Sequence, residues 1–159
     1  MTTETTHYLT KEGLERIKKE YEGLLNFKKA KTRGEVPSIW HSEEVNPEYL
    51  AFQEDLTLLE VRLAEYESTL KNAELIVPPA KGKQAEVCLG ATVTLEESEG
   101  VINEYTILGT LEANPGEGKI SSSSPVGQVL LGKKVGEKVV ISSPIRVVYR
   151  IKRIRYISQ

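Results

Sequence analysis

The stretch Asn46-Pro47-Glu48-Tyr49-Leu50-Ala51-Phe52-Gln53-Glu54-Asp55-Leu56, with its continuation to Ala73, decides the fold. Asn46 is a helix cap, Pro47 suits the first helical position, and Glu48 lies at the positive end of the helix dipole. Behind them Tyr49, Phe52, Leu56, Leu59, Leu63, Tyr66, Leu70 and Ala73 recur at intervals of three and four. That seam predicts a helix over 47–73, about 40 Å long at 1.5 Å per residue. Upstream, Thr10 is a second cap, Leu9 and Leu14 occupy hydrophobic-staple positions, and Leu14, Ile17, Tyr21 and Leu24 form a matching seam. It stops at Lys28, Lys29 and Lys31, and Gly34 with Pro37 ends the helix. Two such helices bury their seams most simply against each other, as an antiparallel coiled-coil hairpin projecting into solvent. A helix pair lying on a sheet would need a wider apolar stripe.

The rest of the chain has a different period. Pro78-Pro79-Ala80-Lys81-Gly82-Lys83 breaks helices and reads as a linker over 78–84. It separates an arm, 1–77, from a globular domain, 85–159. Before the linker fifteen acids face ten Lys and Arg, a balance of −5; from Pro78 onward, the linker included, the balance is +3. Ala91 to Leu95 alternates, Glu96 to Gly100 turns, and Val101 to Leu108 returns as a hairpin partner. Ser124-Pro125 starts a short helix over Val126 to Leu131, closed by Gly132. Lys138 to Ser142 and Arg146 to Ile157 complete a small antiparallel sheet. Apolar parity in the last strand slips between Ile151 and Ile154, which a β-bulge near Lys152 explains. The fold class is α+β.

Composition narrows the chemistry. The 159 residues carry a formal net charge of −2 and one cysteine, Cys88, which excludes an internal disulfide and a Cys-rich zinc site. Of the 23 acids only Asp55 is aspartate, and glutamate favours helical surface. No signal-peptide pattern opens the chain and no apolar run nears the roughly 20 residues of a membrane span, so a soluble cytoplasmic protein is expected. His7 and His41 stand apart from other metal ligands, no glycine-rich phosphate loop occurs, and a Ser/His/Asp triad would need the heptad residue Asp55. Catalysis by this chain alone, and a cofactor of its own, are not expected.

The segment between the helices is the unusual one. Its tip, about 34–46, holds the only tryptophan, Trp40, beside Ile39 and His41, with adjacent carboxylates at Glu43 and Glu44. Apolar bulk there points to a partner, unless Trp40 folds back over the hairpin end. The two carboxylates suit a hard cation such as Mg²⁺ or form a solvated turn. Lys28, Lys29, Lys31 and Arg33 make a basic cluster behind the tip, suited to phosphates or to plain helical surface.

Several segments together resemble the bacterial Gre transcription elongation factors, the GreA/GreB family. They are Leu9-Thr10-Lys11-Glu12-Gly13-Leu14, Asn46-Pro47-Glu48-Tyr49, Leu70 to Ile76, Leu89-Gly90-Ala91-Thr92-Val93-Thr94, Ser124-Pro125-Val126-Gly127 and Leu130 to Gly136. The resemblance implies a coiled-coil arm and an FKBP-like domain that docks on RNA polymerase at the rim of the secondary channel. The arm then reaches the active centre, where tip acids share a second Mg²⁺ with the polymerase and promote cleavage of the backtracked RNA 3′ end. It assigns docking to the loop Ser122, Ser123, Ser124 and Pro125. The family's two tip acids align with Ser42 and Val45, neither a carboxylate, leaving Glu43 and Glu44 as the candidate catalytic and metal-binding pair.

Three other readings stay open. The tip occupies the channel without cleaving, as some Gre paralogues do. An FKBP-like fold also suggests a prolyl isomerase, although Trp40, Phe27 and Phe52 all lie in the arm. A coiled-coil adaptor that dimerises through its heptads is the third; the intramolecular hairpin predicts a monomer. Arg146, Arg150, Lys152, Arg153 and Arg155 alternate with core positions, so nucleic-acid contact is expected only with RNA or DNA held by the polymerase.

Overall fold

The computed structural model describes residues 5–98, 100–142 and 145–156, with His41 described in its backbone alone. Ile157, read above as the end of the last strand, lies outside the described residues. Two compact units divide the chain: Leu14–Asn72, and Met1–Gly13 together with Ala73–Gln159.

The first unit is helical. Helix α1 spans Lys11–Arg33 and helix α2 spans Pro47–Lys71. Four polar pairs give their relation: Glu20 with Tyr66, Tyr21 with Glu67, Lys28 with Glu60 and Lys31 with Asp55. From residues 20 and 21 of α1 to residues 28 and 31 the partners on α2 move back from 66 and 67 to 60 and 55, so the helices are antiparallel. The seams lie between them, with Ile17, Leu59 and Leu63 buried and Leu24, Phe52, Leu56 and Leu70 half-buried. Asn72 makes the last helical bond, donating its amide to the Ser68 carbonyl, and the expected helix end at Ala73 is instead a strand residue paired with His7.

The globular unit begins and resumes with two short strands, β1 (His7–Leu9) and β4 (Ala73–Leu75), paired in parallel. They close the helical segment at both ends and place the unit boundaries at 13/14 and 72/73. The linker read over 78–84 is instead a segment of this unit, with a short 3-10 turn at Lys81–Lys83. A five-stranded sheet follows, made of β5 (Ala91–Glu97), β6 (Ile102–Leu108), β7 (Lys119–Ser121), β8 (Lys138–Ile141) and β9 (Val147–Tyr156). Its order is β7-β6-β5-β9-β8. The sheet is mixed, not wholly antiparallel as expected, because β6 and β7 run in parallel.

Alternation explains the core. Ala91, Val93 and Leu95 point inward from β5 and are fully buried, meeting Ile107, Ile120, Val139, Tyr149 and Ile151. Helix α3, Pro125–Leu130, closes the face with Leu130. On β9 the register passes from Leu95↔Ile151 to Thr94↔Arg153 and skips Lys152. This is the expected bulge, and it lets Ile151 and Ile154 both face the core.

Tyr156 pins the edge of this core. Its hydroxyl accepts from the Cys88 amide (2.8 Å) and donates to the Glu86 carbonyl (2.5 Å). Burial pushes the phenol up to about 12.

Candidate functional site

Between the helices the tip forms a two-stranded ribbon, β2 (Trp40–His41) and β3 (Glu44–Val45), strands too short to carry a periodic signal in the sequence. Trp40 opposes Val45 and His41 opposes Glu44, leaving Ser42-Glu43 as a two-residue turn. Such turns need a positive φ to match strand twist, and Ser42 has φ 63°, the one non-glycine residue so placed among the described residues.

Asn46 anchors the ribbon. Its amide donates to the Ile39 carbonyl (2.9 Å), its side-chain nitrogen donates to the Ser38 carbonyl (2.8 Å), and its side-chain oxygen accepts from the Glu48 amide (3.1 Å). One residue therefore starts α2 and holds both strands at their base. Sequence reading found the cap and missed the clamp, because the partners lie seven and eight residues upstream.

Trp40 is 61% exposed, which overturns the reading in which it folds back over the hairpin end. It shares a ribbon face with exposed Val45, and Val36 and Ile39 are exposed beside it in sequence. Glu44 lies one position along and so faces the other way. Glu43 and Glu44 are both exposed. Their carboxylates are the donor class that Mg²⁺ takes, but two residues fill only part of its coordination shell. No group of three or more His, Cys, Asp or Glu with metal-site geometry occurs among the described residues. The proposed contact of the His41 side chain falls outside what is described.

The basic cluster is divided. Lys28 pairs with Glu60 (3.6 Å), and Lys31 pairs with Asp55 (3.1 Å) while its ammonium lies 5.2 Å from the Phe52 ring centroid. Lys29 and Arg33 are exposed and make no ion pair among the described residues. Two of the four cations thus serve the hairpin and two face solvent. Further along, Tyr21 and Tyr66 donate to Glu67 and Glu20, and those hydrogen bonds raise both phenols above their ordinary value.

In the globular unit, Ser122–Pro125 links β7 to α3. Ser124 caps α3, accepting from the Gly127 amide (3.1 Å) and donating to the Ser121 carbonyl (2.6 Å). Gly127 is required, since a Cβ there would lie 2.2 Å from the Ser121 oxygen. Ser121 and Ser123 hydroxyls meet at 2.8 Å, and Thr110 reaches both, at 3.0 and 3.3 Å. Ser123 and Pro125 remain exposed on this braced loop. Nothing local in the sequence singled out Thr110.

Sequence comparison with known proteins points to one family. Residues 82–156 match the family model described as "Transcription elongation factor, GreA/GreB, C-term". A Thermomicrobium roseum protein named transcription elongation factor GreA is 39% identical over 138 residues, spanning 86% of this chain and 88% of its own. A Bacillus cytotoxicus protein of the same name is 37% identical over 147 residues, 91% of this chain and 92% of its own. Among solved structures, GreA factor homolog 1 (Gfh1) of Thermus thermophilus is 25% identical, covers 95% of this chain and 99% of its own, and gives a TM-score of 0.43.

Proposed function

This chain belongs to the GreA/GreB family of transcription elongation factors, and from that premise we propose how it acts. It binds RNA polymerase through Ser122–Pro125 and inserts the helical hairpin into the secondary channel, where the ribbon acts on backtracked or arrested complexes. It acts as a cytoplasmic monomer and an accessory factor, with the reaction belonging to the polymerase. The observation that carries this reading is the exposed Ser42-Glu43 turn, which presents Glu43 and Glu44 beside an uncovered Trp40.

The chain's own residues have separable tasks. Asn46 fixes the backbone at the base of the ribbon, which sets where the turn presents its two carboxylates. A Mg²⁺ ion shared with the polymerase would neutralise charge and activate water at the RNA 3′ end. Glu43 and Glu44 would hold part of its shell. Lys29 and Arg33 are the cations left free to meet RNA phosphates.

Ser42 and Val45 favour a second reading. The positions aligned with the family's tip acids carry no carboxylate, so the ribbon would occupy the channel and slow synthesis without cleaving. Docking is tested by equilibrium binding to core polymerase. The intact chain is expected to bind, and Ser123→Arg, at an exposed loop position, is expected to weaken binding about tenfold, the loss of roughly one good contact. Equal binding by both chains would remove the loop from the interface.

A further inference from the structure

We propose that the 3-10 turn Thr110–Glu112 is a strut that completes the cap of α1 from a distance and ties it to the Ser122–Pro125 loop. This inference rests on that loop being the docking surface.

In a capping box the N-cap hydroxyl accepts from the third helical amide, and a glutamate at that third position reaches back to the N-cap amide. Here Thr10 does the first part, accepting from the Gly13 amide at 3.0 Å. The third position is glycine and cannot do the second. Glu112, 102 residues away, does it instead: one carboxylate oxygen accepts from the Thr10 amide (2.7 Å), the other from the Thr10 hydroxyl (2.5 Å). Gly13 is bare because the space is taken, since a Cβ there would lie 2.1 Å from the Glu112 carboxylate oxygen. The arrangement also sets a negative charge at the positive end of α1.

The same short turn holds the loop through Thr110, whose hydroxyl meets those of Ser121 and Ser123. It is seated against β1 as well: a Cβ on Gly109 would lie 2.2 Å from the Tyr8 carbonyl oxygen. Two residues apart, Thr110 and Glu112 therefore brace the docking loop and the first turn of the helix that leads to the tip. Glu112 and Thr110 are positioning residues.

Amide hydrogen exchange and NMR shifts on the full chain test the strut without polymerase. Glu112→Ala is expected to speed exchange in the first turn of α1 roughly tenfold, the loss of a good cap, and to move the Ser123 amide resonance. Thr110→Val is expected to move the Thr10 and Gly13 resonances. Thr10→Val should behave as Glu112→Ala does, and Thr10→Ser should restore wild-type behaviour, which separates lost capping from misfolding. Changes confined to the mutated end in every variant would overturn the strut. With polymerase, Glu112→Ala should leave the half-saturating factor concentration within about twofold while lowering the saturating effect several-fold. If the half-saturating concentration instead rises several-fold, the strut is overturned as a positioning device. A wild-type chain that does not bind polymerase overturns the docking reading, and the exchange data still judge the cap.

Discussion

Among the described residues of Leu14–Asn72 only Ile17, Leu59 and Leu63 are buried, and the helices take their register from polar pairs at the surface. In the globular unit a continuous core from Val87 to Ile151 is sealed by five strands and α3. The contrast shows where each unit keeps its information. A narrow seam gives direction and length but little energy per residue, so exposed pairs and the Asn46 clamp decide the details. A sheet closed around inward-facing residues tolerates almost no change there and leaves its outer loops open to variation.

Core truncation breaks this comparison most sharply. Ile151→Ala is expected to cost about 3–4 kcal/mol and Leu63→Ala nearer 2, because a residue in a two-helix seam collapses or hydrates more easily than one under a sheet. Chemical denaturation followed by far-ultraviolet circular dichroism reads both; Trp40, exposed at the tip, reports little of either. Equal costs would erase the distinction drawn here.

Tyrosines sharpen it at a smaller scale. Tyr156→Phe leaves the Cys88 amide without its acceptor and should cost about 1–2 kcal/mol. Its effect has a pH signature. The phenol titrates at 10.0 when unfolded and near 12 when folded, so stability holds below pH 10 and falls as pH rises from there toward 12. Tyr156→Phe should flatten that fall. Tyr66→Phe, in the hairpin, should cost under about 1 kcal/mol, since Tyr66 and Glu20 meet at the surface. A larger loss in Tyr66→Phe than in Tyr156→Phe would reverse the ranking.

The smallest effect belongs to the tip. Ser42 holds a left-handed backbone that glycine adopts freely, so Ser42→Gly should steady the ribbon by up to about 1 kcal/mol. Slower amide exchange at Glu44 and Val45 is the readout. Faster exchange would show that the serine side chain, not the backbone, holds the turn.

These regions also differ in how far they could be read from the chain. Spacing alone located both helices, their caps at Thr10 and Asn46, the cap at Ser124 and the bulge at Lys152. Each depends on neighbours a few residues apart. What stayed hidden depends on distant partners. Three-residue strands β1 and β4 carry no periodic signal, so their pairing, and with it the unit boundaries, emerge only in three dimensions. The parallel β6/β7 pair, the Lys28 and Lys31 ion pairs and the Glu112 cap are of the same kind. At the tip, Trp40 and the paired glutamates stood out by residue type, but the turn that presents them rests on Ser42, a residue with no sequence mark of strain.

Transcript cleavage in stalled polymerase complexes tests the central claim most directly, with wild type and the Glu43→Ala/Glu44→Ala double variant compared at matched occupancy. Wild type should accelerate release of the RNA 3′ fragment, and the double variant should lose at least about tenfold of that acceleration, as removal of charged groups acting in the transition state does. Identical cleavage by the two chains, both bound, would contradict it.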